Sequence, residues 1–324
     1  MIGWVVVSLE AAALAAVVAA LAALVCNLAL EWIRFIRPAA RRADAAFLLG
    51  LIPMLVAVSL WGALLLPSAL HVTGVRLDHC ELHSHHAHLC ALHAEGVRLF
   101  LIALGVLALG SAVWRGGRLA SAQARSMRLV ATLEKLGVTR GGDPHPVIAV
   151  PGSPWLCLAA GGWRRRVLMS ASITSALTPL EVQAALAHEQ AHLSRNDPLL
   201  KMVLAWAGLF SPPWVATAAQ RAFGDAAEEA SDAEAAETVG PLMVAESLVS
   251  MARLTRAAAP ATCLAFGGSS LERRVASLLS GAVDTRPPRS VQLALGVVFV
   301  GAFLTTAGAD SIHHAAETLL QLLG

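Results

Sequence analysis

The chain has 324 residues, 56% of them hydrophobic and only 14% charged, against about 25% charged residues in an ordinary soluble domain. That deficit points to a membrane, and a net charge of +2 is too small to indicate direct nucleic-acid binding. Five cysteines in no dense pattern argue against a disulfide scaffold, and tyrosine is absent.

A membrane-spanning helix needs roughly 20 apolar residues. Residues 11–30 and 45–70 each supply such a run. The first has no basic segment ahead of it and carries Glu10 before its apolar core, so it is not expected to be a cleaved secretory signal. Residues 99–114 form a shorter third run, extendable past Arg98 if that side chain snorkels, and residues 291–309 form a fourth. Arginines cluster in the link between the first two runs (Arg34, Arg37, Arg41, Arg42), after the third (Arg115, Arg118, Arg125, Arg128) and before the fourth (Arg286, Arg289). By the positive-inside rule these regions are cytoplasmic, and the N-terminus, residues 71–96 and residues 310–324 lie outside. The expected localisation is a bacterial inner membrane crossed four times. The expected organisation is three spans within 1–114, a cytoplasmic domain over 115–290, and a fourth span with a short outer tail over 291–324.

The outer loop contains the most metal-like string in the chain, "DHCELHSHHAHLCALH" at 78–93. If it is helical, His79, His83, His86, Cys90 and His93 share one face at i, i+4, i+7, i+11 and i+14. Such a strip suits an additional transition metal such as Zn, Cu or Ni. Alternatively Cys80 and Cys90 form a disulfide, which requires a hairpin. Ten helical residues would separate them by about 15 Å, whereas a disulfide allows at most about 7 Å between Cα atoms. His313 and His314 of the tail fall on the same side.

In the cytoplasmic segment, residues 118–136 read as an arginine-rich amphipathic helix leaving the membrane, followed by a turn cluster at 137–146. Short strand-like runs follow at 147–150, 155–160 and 166–170, separated by Gly and Pro. Residues 199–219, interrupted by "SPP", read as a helix and turn resting on the bilayer surface. Before them, "TPLE" at 178–181 announces a helix: Thr178 as N-cap, Pro179 at the first position, Glu181 closing a capping box. Within that helix lies "HEQAH". His188 and His192, at i and i+4, share a face and can reach one Zn2+, while Glu189 projects beside them toward a metal-bound water. A catalytic site needs a third protein ligand. Glu228 and Asp232, again at i and i+4 in "DAAEEASDAEAAETV", offer one carboxylate for the metal and another to orient a ligand histidine.

"LAHEQAHLSRND" resembles the H-E-x-x-H-x-x-R-x-D pattern of the BlaR/MecR-type membrane metallopeptidases, the antibiotic-sensor relatives. "EEASD" is similar to their E-x-x-x-D and to the third-ligand motif of gluzincins, and "GGSSLERRVASLL" at 267–279 to their segment before the last span. The resemblance implies a polytopic, mainly α-helical membrane protein with an α+β gluzincin-like zinc metallopeptidase domain. It implies ligands His188, His192 and Glu228, Glu189 as general base, and Asp232 supporting a ligand. It also implies an endopeptidase whose substrate is a cytoplasmic protein, a transcriptional repressor and the chain itself being the candidates. A homodimer is compatible with these features. Those sensors carry a penicillin-binding domain after the last span; only about fifteen residues follow here, so β-lactam sensing through such a domain is not expected and the histidine loop becomes the candidate input. Arg195 and Asp197 match the pattern and read as a local salt bridge. With no tyrosine, the oxyanion would fall to an Arg, to Asn196, to a backbone N–H or to the metal alone. Two alternatives remain at this level. One is an HtpX-like quality-control protease, disfavoured by three spans before the motif. The other is a non-proteolytic metal-sensing transducer, disfavoured by the intact Glu189.

Overall fold

A computed structural model describes residues 2–72, 99–141, 144–152, 156–160, 164–258, 268–280, 296, 308–309 and 311–318. Residues His79, His83, His86, Cys90 and His93, and almost all of the expected fourth span, lie outside the described residues.

The described chain is mostly helical with one small sheet. Helices α1 (Ile2–Ile33), α2 (Ala39–Val72) and α3 (Leu99–Leu136) are each long and apolar enough to cross a membrane. Their outward faces carry exposed apolar side chains, among them Leu21, Val25, Leu28 and Trp32 on α1 and Leu107, Val113 and Trp114 on α3, as lipid contact requires. Small residues let these helices approach closely. At Gly105 of α3, a Cβ would sit 2.1 Å from the backbone oxygen of Leu9 on α1, so only glycine permits this crossing. Helix α3 runs without a break from the apolar third run into the arginine-rich segment.

Strands β1 (Val138–Thr139), β2 (Val147–Val150), β3 (Cys157–Ala160) and β4 (Arg166–Ser170) follow. They form a sheet of order β1-β2-β4-β3, with β2 and β4 parallel and the other pairs antiparallel. Three of these are the strand-like runs expected from sequence; β1 falls inside the expected turn cluster. Alternation gives the sheet two apolar faces. Ile148, Val150, Ala160 and Leu168 pack with Val130 and Leu133 of α3. Ala159 and Val167 pack with Leu193 on the opposite side. Strand β3 is an edge. Leu158 pairs with Leu168, and the Ser170 N–H donates to the Leu156 carbonyl. The antiparallel alternation therefore turns the backbone polar groups of Cys157 and Ala159 away from β4.

Six helical elements complete the described domain: α4 (Ala171–Ala176), α5 (Pro179–Ser194), α6 (Asp197–Ala207), α7 (Pro213–Val239), α8 (Pro241–Ala258) and α9 (Gly268–Leu279), with a 3-10 turn at Gly208–Phe210. They are packed onto the α1–α2 end of the spans. Ile33, Ala43, Phe47 and Leu51 form one core with Leu200, Leu204 and Phe223. The Phe47 and Phe223 rings lie 5.9 Å apart, and Arg42 is ion-paired with Glu229. Gly50 of α2 makes room for Leu204, whose Cδ1 would lie 2.2 Å from an added Cβ. The apolar stretch 199–219 is thus helix, turn and helix, with Trp206, Phe210 and Trp214 left partly exposed. The guanidinium of Arg115 donates to the carbonyls of Gly208, Leu209 and Ser211 and ties that turn to α3.

At the far end of the spans, a helical tail at 311–318 packs near Val7, Ala11 and Leu64 through Ala316. His313 is buried there, its Nδ1 3.2 Å from the Leu64 carbonyl and its Nε2 3.1 Å from Glu317. This places it beside the start of α1 and the end of α2.

Candidate metal centre

Helix α5 begins as its sequence dictates. The Thr178 hydroxyl accepts from the Glu181 N–H at 3.4 Å, and the Thr178 N–H donates to the Glu181 carboxylate at 2.8 Å. With Pro179 at the first position, the start of the helix is fixed, and His188 and His192 follow on one face. Their rings meet edge to face, with Nε2 atoms 3.1 Å apart.

Helix α7 brings the third donor. Glu228 Oε2 lies 3.4 Å from His188 Nε2, and Glu228 Oε1 lies 3.4 Å from His192 Nε2. One ligand atom from each residue lies within 4.8 Å of the other two. Tetrahedral ligands at zinc distances of 2.0–2.1 Å would stand about 3.3 Å apart, close to these separations. The donor chemistry also fits. Asp197 Oδ2 is 2.8 Å from His192 Nδ1 in a hydrogen bond. Asp232 Oδ1 is 2.8 Å from His188 Nδ1, a charge contact rather than an aligned hydrogen bond. With each Nδ1 facing a carboxylate, both Nε2 lone pairs and Glu228 converge as acceptors, and acceptors at such distances need a cation between them.

Without a metal ion, a proton must serve. Burial would lower the His188 pKa, but the Asp232 and Glu228 carboxylates outweigh it and raise it to about 9. His192 is raised in the same way, against burial, by Asp197 and Glu228. Burial pushes the Glu228 carboxyl up, and the two histidines more than reverse this, holding it far below the usual carboxylate range. Asp232 is likewise depressed against burial by Arg274 and His188.

Three supports went unrecognised in the sequence. Asp197 is fully buried, and its contact with His192 goes beyond the salt bridge expected with Arg195, which is present at 3.3 Å. The path to it is Asn196, whose φ of 62° lets the chain turn from α5 directly into α6; asparagine tolerates that left-handed conformation better than most residues. Ser231 Oγ adds a contact to His192 Nδ1 at 3.1 Å. Arg274 of α9 grips Asp232 with two hydrogen bonds, at 2.6 and 2.7 Å, and reaches Glu228 at 3.3 Å. The available signals were the Asp immediately beyond the helix end and the arginines of the quoted segment 267–279.

Glu189 points to the sheet. Its Oε2 accepts the Ala159 N–H of the β3 edge at 2.6 Å. The Cys157 thiol nearby is pushed well above its usual pKa, first by burial and then by the Glu189 charge. Lys201 of α6 lies 3.6 Å from Glu228 on the more open side of the cluster. Compared with models of known families, with curated proteins and with solved structures, the chain matches none.

Proposed function

We propose that this chain is a membrane-bound, zinc-dependent endopeptidase of the BlaR/MecR-like, gluzincin type, hydrolysing a cytoplasmic protein. The observation that carries the reading is the convergence of His188, His192 and Glu228 with Glu189 beside them at the edge strand β3. His188, His192 and Glu228 would hold the ion. A bound Zn2+ supplies a water of lowered pKa and polarises a scissile carbonyl.

The remaining work belongs to the chain. An extended peptide can add to β3 as a further strand, using the outward backbone groups of Cys157 and Ala159. Glu189 would take a proton from water and return it to the leaving amine. Its present hydrogen bond to the Ala159 N–H would be given up when substrate takes that donor. Lys201, half-exposed and 3.6 Å from Glu228, suits a developing negative charge on the carbonyl oxygen. Asp197, Asp232 and Arg274 would orient the ligand side chains they contact.

A cytoplasmic position for the site is supported by the arginines at the α1–α2 turn and along the end of α3, because the sheet and α5–α9 pack at that end of the spans. The resemblance to repressor-cleaving sensors rests on "HEQAHLSRND" and "EEASD", so a transcriptional repressor is the proposed substrate, with cleavage of the chain itself as a second target. Comparing the proteomes of cells carrying wild type or Glu189→Gln tests this. Fragments of a repressor should appear only with wild type; identical proteomes under inducing conditions would reject the reading.

A further inference from the structure

Between α3 and the sheet edge runs a groove of about 500 Å³, within the range of about 300–1,000 Å³ typical of ligand pockets. One wall is the edge strand β3, with Leu158 and Ala159. The opposite wall is α3, presenting Met127 and Val130, and Met202 of α6 contributes beside them. Positions 123, 126, 127, 130, 131 and 134 of α3 all border it; this i, i+3, i+4, i+7 pattern is one helix face.

Helix α3 is tied to the domain at both ends of this groove, and between them Val130 rests against the apolar face of the sheet while Met127 is left exposed. At one end, the Trp206 indole N–H donates to Gln123 at 3.0 Å. At the other, Arg166 is ion-paired with Glu134 at 2.8 Å. Gln123, Glu134 and Arg166 are thus engaged, and apart from Ser126 and Arg164 the rest of the lining is apolar; Met127, 62% exposed, and Leu158, 41% exposed, belong to one clustered apolar surface of the kind that marks binding grooves.

Two residues of the groove lining are linked to the metal centre. Ala159, which lines the groove, donates its N–H to Glu189 at 2.6 Å. On α6, Met202 lines it while the adjacent Lys201 lies 3.6 Å from Glu228. A free strand edge recognises extended backbone, and an apolar wall facing that edge recognises side chains. The occupant that matches both is an extended peptide. We propose that α3, the cytoplasmic continuation of a candidate membrane span, is the specificity wall of the substrate groove, and that Met127, Val130 and Met202 select a large apolar side chain next to the β3 edge. This rests on the peptidase reading above. It implies that the position of the third span sets the width of the groove and so the grip on substrate.

The test uses the full chain in lipid nanodiscs, loaded with zinc, against peptides varied at one position. Wild type should prefer Phe, Leu or Met at one site near the cut. Met127→Trp, which fills the groove from an exposed helix position, should lower kcat/KM for those peptides by about tenfold or more while Ala-containing peptides change by no more than about twofold, with zinc content unchanged. An equal fall for both classes, or no fall for either, overturns the proposal. A second measurement does not depend on cleavage: a peptide carrying a photoreactive leucine analogue should crosslink to 127–131 and 158–160. Crosslinks elsewhere, or none at saturating peptide, overturn it. Crosslinks in the groove with no peptide cut by zinc-loaded wild type would leave the groove standing and reject the peptidase reading instead.

Discussion

His192 is held by groups that do not themselves face the metal position: Asp197 at 2.8 Å and Ser231 at 3.1 Å, both on Nδ1. Supports of this kind fix ring orientation and basicity, so Asp197→Asn should weaken zinc binding about 10–100-fold, read by competition with a chromophoric chelator. The same residues set a pH dependence. In the metal-free chain His188 is raised from 6.5 to about 9. The stability its protonated form contributes is therefore fully present below the unfolded value and is lost as pH rises through about 9. Thermal unfolding of chelator-treated protein should show a marked drop in Tm between about pH 6 and about pH 9.5, and zinc-loaded protein a much smaller one, because the ion replaces the proton. At this scale the sequence was informative where contacts are local. His188 and His192 follow from helical spacing, and Glu228 with Asp232 repeats it. Asp197 was not legible as a histidine partner, because its approach depends on one left-handed residue, Asn196, that spacing rules do not foresee.

Among elements, α9 reaches back to the site through Arg274. Asp232 is 1% exposed and depends on that guanidinium for two hydrogen bonds. Arg274→Gln leaves a buried carboxylate short of its partner and should cost about 3 kcal/mol, with a lowered unfolding midpoint. Arg274→Lys should recover only part, since an ammonium cannot make the paired contact. In the spans, Gly105→Leu would drive a side chain into the Leu9 carbonyl of α1. The helices must separate, and we expect a loss of about 1–3 kcal/mol together with weaker crosslinking between cysteines placed on α1 and α3. The capped start of α5 and strands β2 to β4 were legible because their signals are short-range: Thr178–Glu181, and apolar runs between Gly and Pro. The two-residue β1 was not, because Val138 and Thr139 become a strand only by pairing with Ile148 and Ala149. Nor was the order β1-β2-β4-β3 legible, and with it the exposure of β3 beside Glu189. Strand order follows from contacts distant in sequence. The Arg274 clamp, 42 positions from Asp232, was hidden for the same reason.

On the scale of the whole molecule, the spans and the metal-centre helices are one packed body rather than an anchor and a tethered domain. Phe47 and Leu51 of α2 share a core with Leu204 and Phe223, and α7, which carries Glu228, is ion-paired to α2 through Arg42 and Glu229. Helix α3 passes from its exposed apolar residues to the sheet without interruption. A displacement of the spans would therefore be felt by the elements that hold the ligands and wall the groove. In the proposed mechanism His188, His192 and Glu228 would bind one ion and Glu189 would use it to cut peptide bonds. The most direct measurement is metal content and peptide cleavage, made together on the purified full chain. Wild type should carry about one zinc per chain and cleave; Glu189→Gln should keep the zinc and lose cleavage; His192→Ala should lose both. A wild-type chain without stoichiometric metal, or a Glu189→Gln chain that cleaves at the parent rate, would rule this mechanism out.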